Sequence, residues 1–221
     1  MSVTVKEFKR KPQPPEADVI SAVRSIDCVL KVGDTEIPQV QMWRTNEVTY
    51  SAGTTMEVTC PASLDYDLMK KSQEIVKQGK PLPVVLTTVM SINGQPGKGG
   101  EEFNGILDVI KLNLKTRMYT LNCVSYARVL VNEKISETVA GTSNAGKTTA
   151  QVVEDMVKKY GKGLKSKVHP FKTKVGQVYK DKMVKTIKNM AVWDLLESFA
   201  NQDNADLYVK GDTLYYVPKP T

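Results

Sequence analysis

The chain has 221 residues, 41% of them hydrophobic and 25% charged, with a mean hydropathy of −0.30. That is the composition of a globular chain able to bury a real core as one large unit or two small ones, and it excludes disorder, collagen and a disulfide-dense mini-protein. The net charge of +7 is uneven: residues 1–133 carry 16 Lys and Arg against 15 Asp and Glu, residues 134–221 carry 15 Lys against 9 acids, and 156–188 alone hold 11 lysines and one acid, Asp181.

Residues 1–20 are polar and basic and include Pro12, Pro14 and Pro15, which predicts an extended arm. From residue 21 to 134 the pattern is that of strands. Ile26, Cys28, Leu30 and Val32 alternate with polar residues up to a Gly33-Asp34 turn, with Val40 and Met42 expected on the return strand. Val48, Tyr50, Met56, Val58 and Cys60 repeat the alternation around 51–53, and Pro61 closes it. Ser63 can cap a helix through Gln78, with Asp65 and Asp67 near its positive end and Gly79 as a stop. A strand from Val84 to Ile92 precedes the glycine-rich run 93–100, which predicts a mobile loop. Ile106 to Leu114 and Tyr119 to Cys123 then flank a turn at 115–117. These elements predict an antiparallel β-barrel or sandwich with one helix.

Residues 135–221 change rhythm. Thr148 and Gln151 form a capping box for a helix over 149–160, ended by Gly161, with Val152, Val153, Met156, Val157 and Tyr160 as its buried stripe. Asn189 is the expected cap of a second helix carrying Val192, Trp193, Leu196 and Phe199 inward. A hairpin turning at Gly211-Asp212 follows. The fold class expected is α+β: an arm over 1–20, a β-barrel unit over 21–134, and a small α+β unit with two helices and a terminal hairpin over 135–221.

The residues argue against most enzyme chemistries. Cys28, Cys60 and Cys123 are odd in number, lack CxxC spacing and sit in apolar strand patterns, as small reduced core residues do. His169 is the only histidine, which removes His-based triads and His/Cys zinc sites. Glu101-Glu102 and Glu154-Asp155 are adjacent carboxylates whose side chains diverge on a strand or helix. Trp43 and Trp193 lie in apolar patterns and read as core. The longest apolar stretch, 81–90, is too short to span a membrane, and no signal-peptide core is present near the start, so a cytoplasm-like compartment is expected. No metal or cofactor is expected.

The segment GTSNAGKT at 141–148 matches the phosphate-cradling pattern GxxxxGK[ST]. That chemistry also needs a buried apolar strand before the first glycine and a downstream magnesium-holding Asp. Here the preceding residues, Lys134 to Ala140, are amphipathic, and the 73 residues after Thr148 are too few for a parallel βαβ sheet. A loop leading into a capped helix accounts for the segment better than nucleotide binding does. The lysine run lacks arginine, whose fork grips phosphates and base edges, so it reads as a diffuse field toward an acidic neighbour, or equally as a solvated basic face without a partner, rather than as a nucleic-acid reader. Lys158, Lys162, Lys165 and Lys167 are its candidate contacts, and Gly97, Gly99 and Gly100 are candidates for a second interface.

The succession Ser125 to Thr138, Thr149 to Met156 and on to Gly161, Lys174 to Tyr179, Ala191 to Leu196, and Asp206 to Tyr215 resembles the late control protein D family. These are baseplate hub proteins of contractile-tailed bacteriophages, related to the hub part of type VI secretion spikes. The resemblance covers 125–221 by motif and 1–124 by strand order. It implies a non-enzymatic homotrimer whose barrels form a ring joining the tail tube to the central spike, located in the virion and assembled in the host cytoplasm. Tube or tube-initiator, spike and other baseplate proteins would be its partners, with no membrane insertion and no DNA contact. Members of the family usually continue into a second barrel where this chain stops at 217–221, which implies either a hub split between two polypeptides, with a second hub polypeptide as a further partner, or a short variant. Nucleotide binding through 141–148 and nucleic-acid binding through 156–188 are the alternatives.

Overall fold

The computed structural model describes residues 24–37, 39–46, 53–63, 67–92, 95–136, 144–178 and 188–220; the arm expected over 1–20 lies outside them, as do Val48 and Tyr50. Strand β1 (Arg24–Val32) turns at Gly33, which adopts a φ of 59°, into the short β2 (Thr35–Ile37). Only glycine takes that left-handed conformation without cost. Met42, expected on this return strand, instead opens β3 (Met42–Asn46), which pairs with β4 (Thr55–Pro61) on the far side of the sheet. With β5 (Pro83–Ile92), β6 (Gln95–Asn113) and β7 (Met118–Val124), these strands form one antiparallel sheet in the order β2-β1-β5-β6-β7-β4-β3. The edge strands β2 and β3 do not pair with each other among the described residues, yet Ile37 and Trp43 pack on one core. The expected barrel is thus a curled, open sheet.

Strict alternation builds that core. Met56, Val58 and Cys60 of β4 stand opposite Cys123, Leu121 and Tyr119 of β7, and all six are buried. Helix α1 (Leu68–Lys77) adds Leu68, Met69 and Ile75 to it. Its cap is Asp67, whose Oδ1 accepts the Lys70 amide at 2.9 Å, rather than Ser63. The run 95–100, expected as loop, is the first part of β6, hydrogen-bonded to β5 with a bulge between Val89 and Ser91.

The second core is helical. Helix α2 (Ala127–Asn132) was not foreseen and belongs here, although it precedes residue 134. Helix α3 (Thr149–Tyr160) has the expected capping box, with Thr148 and Gln151 exchanging side chain and amide. Strand β8 (Lys134–Ile135) pairs with β10 (Met190–Ala191), and the one-turn α4 (Val175–Val178) lies between them in sequence. Helix α5 (Val192–Asp203) starts after Ala191, not Asn189; the Asn189 amide donates to Ser136 Oγ instead. Strands β11 (Ala205–Lys210) and β12 (Thr213–Pro218) form the expected hairpin, and β9 (Lys165–Val168), unforeseen, joins β12 in parallel.

One carboxylate ties this half together. Asp203, at the end of α5, accepts hydrogen bonds of 2.5 Å on Oδ2 from both Thr149 Oγ1 at the start of α3 and the Tyr216 hydroxyl on β12. Burial, and then the Asp203 acceptor, push the Tyr216 phenol far above its ordinary pKa, so it stays a donor. Strand β6 joins the halves: Phe103 packs in the sheet core and Ile106 in the helical one. Between them a β-carbon on Gly105 would lie 2.3 Å from the Val124 carbonyl oxygen and 2.6 Å from the Phe103 ring. Neither the β7 backbone nor a buried ring can yield, so we expect Gly105→Ala to destabilise the protein by about 3 kcal/mol in urea unfolding, the range of core overpacking. A loss under about 0.5 kcal/mol would show that the two strands part readily.

Candidate functional site

The GTSNAGKT segment is the natural place to seek a reaction centre; its residues 141–143 lie outside the described ones. The side chains of Lys147 and Thr148 and several backbone groups are committed within the chain. Lys147 Nζ meets Asp155 Oδ2 at 2.7 Å, and the Thr148 hydroxyl accepts the Gln151 amide. The Thr148 amide donates to Gln151 Oε1 and the Thr149 amide to the Thr173 carbonyl. From the facing segment the Val175 amide, at the start of α4, donates to the Lys147 carbonyl, and Lys174 Nζ donates to that of Gly146 at 2.8 Å. A phosphate cradle needs those amides and that lysine turned toward the ligand. Here they close a helix start against residues 173–175. A cleft of about 520 Å³ beside it is floored by Val168, Pro170 and Phe171.

The three thiols are shifted away from reactivity. Burial pushes the Cys60 thiol up to about 11 and the Cys123 thiol up to about 12, and raises Cys28, while a reactive thiol needs the opposite shift. Glu101 accepts from Asn104 and Glu102 from Thr88, so these neighbours serve separate structural bonds. Glu154 is exposed and Asp155 holds Lys147. His169 sits edge-on against Phe171, and Trp193 is in the helical core. Among the described residues, no three His, Cys, Asp or Glu side chains gather as a metal site would need, and no helix is long and apolar enough to cross a membrane.

The candidate lysines divide by their partners. Lys162 lies 3.4 Å from Glu133; Lys165 lies 2.7 Å from Asp212, and this hydrogen bond holds the Asp212 carboxyl below its ordinary pKa despite some burial. Lys167 Nζ stands 5.3 Å over the Tyr215 ring, which stacks in parallel on Tyr208. Lys158 is exposed on α3. Lys165 and Lys167 also stand on β9, the edge of the three-stranded sheet, where lysine keeps other strands from adding. Edge protection and local pairing therefore account for much of a cluster that the sequence alone presents as a field. Lys180, Lys182 and Lys185 lie outside the described residues.

The candidate glycines belong to β6. A β-carbon would meet the Met90 carbonyl oxygen at 2.5 Å from Gly97, and Val89 Cγ2 at 3.2 Å from Gly99, so both are glycines because β5 runs close by. Around Gly100 the nearest atom is Glu102 Oε1 at 3.9 Å.

No protein-family profile and no curated protein matches the sequence. Solved structures do match in fold. The tail protein from Neisseria meningitidis MC58 is similar over 86% of this chain and 50% of its own, at 13% identity and a TM-score of 0.54. The chain shares its fold with phage tail proteins. The 43 kDa tail protein of prophage MuSo2 from Shewanella oneidensis is similar over 89% of this chain and 56% of its own, at 15% identity and a TM-score of 0.52. A chain of the Francisella PdpA-VgrG complex, half-lidded, matches over 90% of this chain and 32% of its own, at 11% identity and a TM-score of 0.52. This chain thus spans about half the length of the two tail proteins. At the level of fold, the resemblance read from the sequence agrees with these tail proteins.

We expect Lys147→Ala to cost less than about 1 kcal/mol, as exposed ion pairs do, and wild-type protein to give no heat with Mg-ATP in titration calorimetry. Millimolar or tighter binding that the substitution abolishes would overturn this.

Proposed function

We propose that this protein is a structural component of a phage-type contractile tail, in its baseplate hub, and that copies of it form a trimeric ring between the tail tube and the central spike. The observation that carries the reading is the fold shared with two phage tail proteins over 86% and 89% of the chain. The chain of the PdpA-VgrG complex with the same fold supports a partner of the spike class. A non-enzymatic role agrees with polar groups spent on helix starts, caps and strand ladders. The open sheet supports assembly, because unpaired strand edges are aggregation hazards unless covered or joined to a neighbour.

The reading is tested in tail particles purified from a strain that carries the gene. Antibody-gold against the chain should label the baseplate end, and deletion of the gene should leave at least ten-fold fewer complete tails, restored by a plasmid copy. Complete, contractile tails at normal yield without the chain would refute it.

A further inference from the structure

Strand β6 is paired on both sides only along part of its 19 residues. β7 covers Ile106 to Asn113, and the hairpin turn at Gly211 approaches Asn104, while β5 pairs with β6 from Gln95 up to Ile106. Among the described residues no strand pairs with 95–101 on the side away from β5. β1 is in the same position: β2 pairs with Leu30 to Val32, and no described strand pairs with 24–29 on the side away from β5. Among the described residues, 24–29, 87–92 and 95–101 therefore form a three-stranded ribbon whose two edges, of about equal length, no strand joins. Each edge presents backbone N–H and C=O groups, roughly half of those in its strand.

Residues 95–101 include Pro96, Lys98 and Glu101 in sequence, but the ribbon keeps an exposed apolar face. Ile26 and Met90 are opposite each other across β1 and β5, and they remain 58% and 46% exposed. They continue the face on which the next pairs but one, Leu30 and Leu86, are fully buried. Gly100, on the outer strand, has a glycine's bare backbone that its own surroundings do not require, since nothing lies nearer than 3.9 Å. A strand glycine of that kind suits the close approach of another backbone.

We propose that the free edge of β6, residues 95–101, pairs with the free edge of β1, residues 24–29, of a second copy of this chain. The proposal rests on the ring reading given above and names the surface that would close the ring. β1 and β6 both run antiparallel to β5, hence parallel to each other. Copies repeated around an axis that runs along the strands keep that sense, so the joint is parallel, β6 to β1. It is heterologous and can repeat until the ring closes. A two-fold pair would join β6 to β6 antiparallel and stop at a dimer.

A thiol already present makes the joint testable. Cys28 of β1 and Gly100 of β6 stand at one level of the ribbon, each opposite Thr88. Neighbouring strands lie about 4.8 Å apart, within disulfide reach. Cysteine is introduced in turn at Gln95, Gly100, Glu101 and Glu102, a scan that tolerates a shifted register, and the purified oligomer is oxidised with copper phenanthroline. The expected result is a ladder of covalent dimers and trimers from at least one variant, abolished when Cys28→Ser is added. Gly100→Val should keep the melting temperature within about 2 °C while reducing the oligomer at least ten-fold. Covalent dimers that persist with Cys28→Ser, or no cross-link at any position in an intact oligomer, would overturn the joint, as would a chain that stays monomeric at every concentration. Immunolabelling of tails is independent of these cross-links, so failure of the joint and failure of the tail reading are told apart.

Discussion

Everything else in the structure hangs on the passage of β6 past β7 at Gly105. Two residues before it Phe103 enters the sheet core, and one residue after it Ile106 enters the helical core, so a single strand fixes where the two cores meet. The approach is possible because no side chain separates Gly105 from the Val124 carbonyl. Register shifts on either side, between Leu86 and Thr87 and between Leu107 and Val109, re-aim the strand before and after the crossing. From β7 the chain passes directly into α2, whose Ala127, Val129 and Leu130 are buried among the helices. The helical half is closed in turn by Asp203, which holds α3 and β12 to the end of α5.

The same strand also divides the molecule's surface into two kinds of edge. Beyond the crossing, β6 is sealed by β7; before it, the strand runs on with β5 and β1 as a ribbon that no other strand joins among the described residues. The small sheet of the other half ends in β9, whose two lysines face an acid and a tyrosine ring. The edge of the small sheet carries lysines, whereas the ribbon carries the exposed apolar side chains Ile26 and Met90 on one face.

Local chemistry made several elements legible in the sequence. The capping box at Thr148 and Gln151, and the alternation of Met56, Val58 and Cys60 with Tyr119, Leu121 and Cys123, carry their structure in residue type and spacing, and they folded as read. Misreadings arose where tertiary pairing overrode local signals. Gly97, Gly99 and Gly100 signal a loop, but β5 supplies a ladder that holds them as strand. Ser63 and Asn189 are good caps by type, yet Asp67 and Ala191 hold those positions because the chain's path, not propensity, sets where each helix begins. Met42 is apolar and well spaced for a hairpin with β1, but its partner Thr59 lies in a strand on the opposite edge. The partners of Lys162, Lys165 and Lys167, namely Glu133, Asp212 and Tyr215, are distant in sequence or on another strand, so their pairing was not legible there.

The central claim is that this chain is a ring-forming part of a contractile tail, and a cryo-electron-microscopy reconstruction of the native particle tests it most directly. The account requires three copies between tube and spike, with the sheet continuous from β6 of one subunit into β1 of the next. Density for the chain away from the tail axis, or as an isolated monomer with both ribbon edges in solvent, would contradict it.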